Sequence, residues 1–323
     1  MIEVMNTYLF NRKAIYFCDH NVTWTIHIVL TLLIIVGGMQ ILCESNICDE
    51  FRGSRGDACR VKIDVPTNCA GNSGRSCSLI FHFHGAGGNN NRAKFQDQIR
   101  KPDLQPGFIG VYPQGVDRQW NTGSQKGIGN IDEGAFISEI VSTLKKFYQW
   151  NGLKFAVGSS NGAAQTNRMA TNSGYGFDGV VASATQLISS PVASGPGNLN
   201  SNIITEYTRP IAYLSLHGSA DTVIPANGGE LFKTGFILSS VDDTLDRFAA
   251  LNSCKNSTNR LATSILNSGS ISTATIKRFS CPSTVPVEGV MVEQGGHGVG
   301  RSIDGVSKNE YIFNWILAVR NNL

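Results

Sequence analysis

The pentapeptide Gly158-Ser159-Ser160-Asn161-Gly162 constrains this chain most, because of what flanks it. Ahead of it, Lys154-Phe155-Ala156-Val157 is a short apolar run suited to a buried parallel strand. Behind it, residues 161–172 carry Ala163, Ala164, Met169 and Ala170 with no proline, which predicts a helix. A strand that turns at once into a helix has no room for bulk at the bend, and the glycines on either side of Ser160 let the backbone turn without a side-chain clash. The spacing G-x-S-x-G in that context presents a serine hydroxyl at the edge of a sheet.

A serine hydroxyl is a poor nucleophile at neutral pH. It needs a base, and the base needs a carboxylate to orient it. Downstream, Leu214-Ser215-Leu216-His217-Gly218-Ser219-Ala220-Asp221 reads as an apolar strand ending in a loop that carries an Asp. Val290-Met291-Val292 then runs into Glu293-Gln294-Gly295-Gly296-His297, a strand opening into a Gly-rich loop that carries a His. Asp221 and His297 are therefore the expected acid and base, both just past the carboxyl ends of strands, where open α/β sheets place their sites. Asp178 opens the run Gly179-Val180-Val181-Ala182 and lies at the wrong end of its strand, while Asp242, Asp243 and Asp246 fall on a polar helical stretch that reads as a solvated face. His217 is the rival base. It precedes Asp221 by only four residues and is better suited to buttress that loop.

Upstream, Phe81-His82-Phe83-His84 leads into Gly85-Ala86-Gly87-Gly88. A Gly-rich turn after a strand brings backbone N–H groups close to a reacting atom. One N–H from the Gly85–Gly87 turn, with Gly85 and Ala86 the candidates, and that of Asn161, the residue after the nucleophile, form the expected oxyanion hole. His82 and His84 share a strand face, but no Asp, Glu or Cys stands at ligand spacing beside them, so no metal is expected and His84 is assigned to shaping the turn. The turn also lacks the Lys-Ser/Thr of a phosphate loop, and no cofactor is expected. Tyr112, Trp120 and Asn121 follow a strand end and fit either a pocket wall or simple packing.

The ordered series His84 to Asn89, Val111-Tyr112-Pro113-Gln114-Gly115, Trp120-Asn121, Ile131 to Ile137, Gly158 to Gly162, His217 to Asp221 and Gly295-Gly296-His297 resembles the secreted polyhydroxybutyrate depolymerase and feruloyl esterase family of the α/β-hydrolase superfamily. The resemblance runs from about residue 60 to the C-terminus. It implies an α/β-hydrolase fold with a mostly parallel sheet covered by helices on both faces. It also implies a serine esterase acting on polyester or on acylated plant polysaccharide, and a disulfide between Cys254 and Cys281. Where the family continues its histidine into a Trp-Pro-Gly turn, this chain has Gly298-Val299-Gly300. That change bears on the substrate wall and leaves the proton chemistry untouched.

Residues 24–42 form a nineteen-residue run without a formal charge. As a helix it would be about 28 Å long, close to the thickness of a bilayer core. Residues 1–45 are expected to be a cleaved signal peptide or an uncleaved signal anchor, with 46–323 a single catalytic domain outside the cell or tethered to its surface. Of eight cysteines, six would remain after cleavage near Ser45, an even number suited to disulfides. The connectivity among Cys48, Cys59, Cys69 and Cys77 stays open. Asn256-Ser257-Thr258 is a glycosylation sequon for a eukaryotic secretory route.

The remaining length, roughly 278 residues, suits one large core. A net charge of +3 gives no nucleic-acid footprint. Expected strands are Arg60–Val65 as an early half-exposed strand, Leu79–Phe83, Phe108–Tyr112, Lys154–Val157, Gly179–Ala184, Ile211–Leu216, Ile276–Phe279 and Val287–Val292. Expected helices beyond the elbow are Glu133–Tyr148, Val241–Leu251 and Asn309–Val319, with Ser189–Asn202 an irregular insert. The expected partner is an ester substrate, including a polymeric one, with no nucleic acid and no membrane beyond a tethering anchor. A serine peptidase and a silent binding protein on the same scaffold are the competing classes, and intact Ser160, Asp221 and His297 argue against the silent one.

Overall fold

The computed structural model describes residues 40–41, 61–69, 76–90, 107–122, 132–189, 204, 208–231 and 237–323. The apolar run 24–42 (apart from Gln40 and Ile41), Cys48, Cys59 and the insert from residue 190 onward lie outside the described residues. In chain order the strands are β1 (Gln40–Ile41), β2 (Val61–Asp64), β3 (Cys77–Phe83), β4 (Phe108–Pro113), β5 (Trp150–Ser159), β6 (Gly179–Ser183), β7 (Ala212–Gly218), β8 (Gly229–Glu230), β9 (Ile237–Leu238), β10 (Ser257–Ile265), β11 (Ile271–Phe279), β12 (Val287–Val292), β13 (Ser302–Ile303) and β14 (Val306–Ser307). The helices are α1 (Glu133–Phe147), α2 (Asn161–Thr171), α3 (Val241–Leu251) and α4 (Lys308–Asn321).

One sheet runs in the order β1-β2-β4-β3-β5-β6-β7-β12-β11-β10-β13-β14. Its centre, β4-β3-β5-β6-β7-β12, is parallel throughout, and both flanks are antiparallel. Parallel strands require crossovers, and helices placed on the crossovers cover the faces. Each central strand therefore feeds two cores with alternate residues. Phe81, Val180 and Tyr213 join one core with Phe136, Ile140 and Leu144 of α1, Met169 of α2 and Leu245 and Phe248 of α3. Ile80, Val181 and Leu214 join the other with Ile312, Phe313 and Ile316 of α4.

The helices start where their side chains can cap them. Asp132 accepts from Ala135 N at 3.0 Å, and Ser240 accepts from Asp243 N at 2.9 Å with Asp242 and Asp243 in the first turn.

Two expectations change. The early strand, β2, is not half-exposed: with a strand on each side, it buries Val61, Ile63 and Asp64, and only Lys62 is partly exposed. Between Cys254 and Cys281 the expected strand Ile276–Phe279 is the end of a longer strand with a partner that was not expected. The two form a hairpin of nine-residue strands, β10 and β11, paired from Ser257↔Phe279 to Ile265↔Ile271. One of its faces is open to solvent, with Leu261 70% and Ile271 80% exposed. No apolar alternation marks such a strand, although its β-branched Thr and Ile residues favour one.

Cys254 and Cys281 are bonded and close the base of the hairpin, as the family resemblance implies, and Cys69 is bonded to Cys77. Asn256 of the sequon is exposed. Among the described residues no helix is long and apolar enough to cross a membrane.

Candidate active site

Strand β5 ends at Ser159 and helix α2 begins at Asn161, so Ser160 alone makes the turn. Its backbone sits at φ 55°, ψ −123°, a region that costs a non-Gly residue of order 1–3 kcal/mol. The surroundings hold it there. Ser160 N–H donates to Ser183 O at 2.9 Å at the end of β6, and Ser160 O accepts from Thr185 Oγ1 at 2.8 Å. The flanking glycines are obligatory: a Cβ on Gly158 would lie 2.0 Å from Gly162 O, and one on Gly162 would lie 2.2 Å from Phe83 O. Ser160 occupies the N-cap position of α2, yet its hydroxyl makes no capping hydrogen bond. A serine there normally spends its oxygen on the second or third helical N–H. This one is left available.

Gly85 approaches the same point, since a Cβ built on it would stand 3.5 Å from Ser160 Cβ. His84 fixes the turn. Gly115 N–H donates to His84 Nε2 at 3.0 Å, which leaves the ring proton on Nδ1 to donate to Gly85 O at 2.9 Å. The turn's donors are then divided. Gly87 N–H is committed to Arg118 O and Gly88 N–H to Gly85 O, each at 2.9 Å. Gly87 is thereby removed from the expected Gly85–Gly87 range, and Gly85 and Ala86 remain as the donors to set beside Asn161 N–H. The first N–H groups of a helix have no intrahelical acceptor and carry the positive end of its dipole, which suits Asn161 to meet an oxyanion.

Ser159, Ser183, Leu216 and Val290 lie in one row across β5, β6, β7 and β12, so the loops after β5, β7 and β12 leave from the same edge. The loop after β7 carries Asp221 and the loop after β12 carries His297. His297 Nδ1 lies 2.8 Å from Asp221 Oδ2. Asp221 Oδ1 accepts from Val223 N at 2.8 Å and Ile224 N at 2.9 Å, so the carboxylate cannot swing away. Since the carboxylate accepts, His297 bears its proton on Nδ1 and offers Nε2 as the basic nitrogen. Asp221's side chain is fully buried, whereas that of His297 is 29% exposed. The two loops are stitched together. Ser219 N–H donates to Val292 O, and Ala220 N–H to Gly295 O, both at 2.9 Å. Gly218 allows this approach, because a Cβ there would lie 2.1 Å from Gly295 O.

Of the rivals, only His217 lies near the pair, with Nε2 3.5 Å from Asp221 Oδ2. His217 is fully buried and bonded through Nε2 to Ile224 O at 2.8 Å, which buttresses the acid loop. Burial lowers its pKa, against the pull of the Ile224 carbonyl and Asp221. Asp178 accepts from Lys154 N at 2.8 Å at the opposite edge of the sheet. Asp242 and Asp246 are exposed partners of Lys277. After His297 the chain turns through Val299 N–H to Gly296 O at 2.8 Å and buries Val299 in the core, so the residue following the histidine loop faces inward rather than forming a wall.

No family model and no curated protein sequence matches the chain. Solved structures do resemble it. The acetyl xylan esterase from Aspergillus awamori aligns with a TM-score of 0.52 at 15% identity over 87% of this chain and 99% of the other. The feruloyl esterase module from Clostridium thermocellum, complexed with sinapinate, aligns with a TM-score of 0.51 at 12% identity over 89% of each chain. This chain has the α/β-hydrolase fold.

The sequence set Tyr112, Trp120 and Asn121 after a strand end, as either a pocket wall or packing. All three are buried, so they pack rather than face a pocket. Trp120 nevertheless bonds both the turn at His84 and Asn161. Glu133 and Arg168 were missed as a pair. Arg168 Nη1 lies 3.2 Å from Glu133 Oε2 and donates to Asn121 O at 2.8 Å, and Glu133 Oε1 accepts from Asn121 N at 2.6 Å. Burial pushes the Glu133 pKa up to about 7, against the Asn121 N–H and Arg168. The available signal was a charge on the inward side of each of two otherwise core-facing helices.

Proposed function

We propose that the protein is an exported serine esterase that hydrolyses carboxylic esters through an acyl-enzyme. Its substrate is a polyhydroxyalkanoate-type polyester or the feruloyl or acetyl esters of plant polysaccharide. The observation that carries the reading is the uncommitted Ser160 hydroxyl, held on a strained turn against Gly85 at the sheet edge where Asp221 and His297 are paired.

In this reading Ser160 Oγ attacks the ester carbonyl carbon as His297 Nε2 takes its proton, and Asp221 steadies the imidazolium. The tetrahedral oxyanion accepts from Asn161 N–H and from Gly85 or Ala86 N–H. Each such donor lowers the barrier by about 3 kcal/mol. Collapse breaks the bond to the alcohol oxygen, which leaves with the proton from His297. Water then enters, loses a proton to His297 and attacks the acyl-enzyme, and the acid departs as Ser160 recovers its hydrogen. No step calls for a metal or a cofactor.

The ordered motifs support the depolymerase and feruloyl esterase branch, and the acetyl xylan and feruloyl esterases of like fold support ester chemistry. The two disulfides support an oxidising compartment and hence export. The test is turnover of p-nitrophenyl butyrate, hydroxybutyrate oligomers, methyl ferulate and acetylated xylan by the full chain. At least one should be hydrolysed, and Ser160→Ala should abolish it. Peptide cleavage with no ester turnover would contradict the proposal.

A further inference from the structure

We infer that Trp120 is a positioning residue, the keystone of a strap over residues 114–122 that sets the spacing between the two halves of the oxyanion hole. The inference rests on the esterase reading for its catalytic consequence, and on the hydrogen bonds alone for its structural one.

The oxyanion donors come from distant parts of the chain, the turn after β3 and the start of α2. β3 and β5 are neighbours, with Phe83 paired to Gly158, so the sheet brings the two turns together, and the strap adds direct bonds between them. Trp120 bonds to both. Its indole N–H donates to His84 O at 2.8 Å, immediately before Gly85. Its backbone N–H donates to Asn161 Oδ1 at 2.7 Å, and its carbonyl accepts from Asn161 Nδ2 at 3.1 Å. The Asn161 carboxamide is thus held in a two-way pair, as a neighbouring strand would hold a backbone amide. The same residue supplies the N–H at the head of α2. Only the carboxamides of Asn and Gln set a separate N–H donor and C=O acceptor side by side, and Gln would be one methylene too long.

The strap is fastened along its length. Gly115 N–H meets His84 Nε2, Arg118 O accepts from Gly87 N–H, and Arg118 Nε donates to Gly88 O at 3.1 Å. Phe83 meets the Trp120 ring edge-on, with centroids 4.9 Å apart. Behind Trp120, Glu133 and Arg168 clasp the two sides of the Asn121 peptide, so the strap is anchored to both α1 and α2. Trp120 is 1% exposed and cannot touch substrate. Its influence passes through His84 and Asn161.

The test uses the full chain with Trp120→Phe, which keeps an aromatic ring and deletes the bond to His84 O, and Asn161→Ala, which keeps the backbone donor and deletes the carboxamide pair. Misplacing a donor by about 1 Å costs roughly 100-fold in rate. Both variants should lose about 10- to 100-fold in kcat with KM within about 3-fold, and their affinity for a tetrahedral trifluoromethyl ketone should fall in step with kcat/KM. Amide hydrogen exchange supplies a readout independent of activity: Gly85, Ala86 and Asn161 should exchange faster together in either variant. Unchanged kcat and ketone affinity alongside a lower Tm would overturn the inference by making Trp120 a packing residue only. Unchanged exchange at the two turns would overturn it even for a chain without esterase activity.

Discussion

The two halves of the site are built differently. On the nucleophile side, position is written first in the backbone, with a serine at positive φ and a pair of glycines that pack carbonyl against Cα, and the strap then ties backbone to side chain through Trp120, His84 and Asn161. On the acid–base side, position is written in side chains: a buried carboxylate on two N–H groups, an imidazole on the carboxylate, and a hydroxyl, Ser219, between the two loops. Backbone-encoded geometry fails as a fold when it fails. Side-chain geometry fails as chemistry while the fold survives. That difference fixes how substitutions should divide.

The largest effect belongs to the reacting atoms. Asp221→Asn should keep its Tm within a few degrees and lose about 10⁴-fold in kcat by favouring the wrong His297 tautomer, measured on a p-nitrophenyl ester. On the other half, Gly162→Val should unfold the protein or lower its stability by several kcal/mol, roughly the extreme of single-site effects, because the new side chain meets the Phe83 carbonyl. A folded Gly162→Val of ordinary Tm would break the comparison.

Each half also holds a buried titratable group outside the proposed reacting set, and their pH signatures are opposite. Glu133 has a folded pKa of about 7 against 4.5. Between those values the folded state holds a proton that the unfolded chain has released, so stability should fall as pH rises from about 4.5 to 7, by ~3 kcal/mol. Glu133→Gln should flatten that slope in urea titrations. His217 is lowered by burial, so below its unfolded value near 6.5 the unfolded chain takes up a proton that the folded one refuses. Stability should therefore drop as pH falls from 6.5, and His217→Asn should remove the drop. The smallest effect is reserved for the hairpin, where Leu261→Ser on the open face should change stability by about 0.5 kcal/mol or less.

The same division explains what was legible in the sequence. The Gly158–Gly162 elbow, the apolar runs of β3 to β7, and the Asp and His loops after β7 and β12 all carry composition that only one local structure satisfies. Helix α1 was legible as Glu133–Tyr148 and runs Glu133–Phe147. Of the β10–β11 hairpin only Ile276–Phe279 was legible, since a strand open to water on one face and rich in Ser and Thr has no hydrophobic period. The strap was not legible, since Trp120, Asn161, Glu133 and Arg168 are joined across the chain by bonds that local patterns do not encode. A Trp and an Asn of known type gave no hint that one would clasp the other.

The central claim is that Ser160 is the activated nucleophile of this site. The most direct measurement is intact-mass and peptide mapping after exposure to a fluorophosphonate at neutral pH. The account predicts a single phosphonyl adduct on Ser160, absent in Ser160→Ala and formed orders of magnitude more slowly in His297→Ala. An adduct on another residue, or no adduct on a folded chain that still turns over esters, would contradict it.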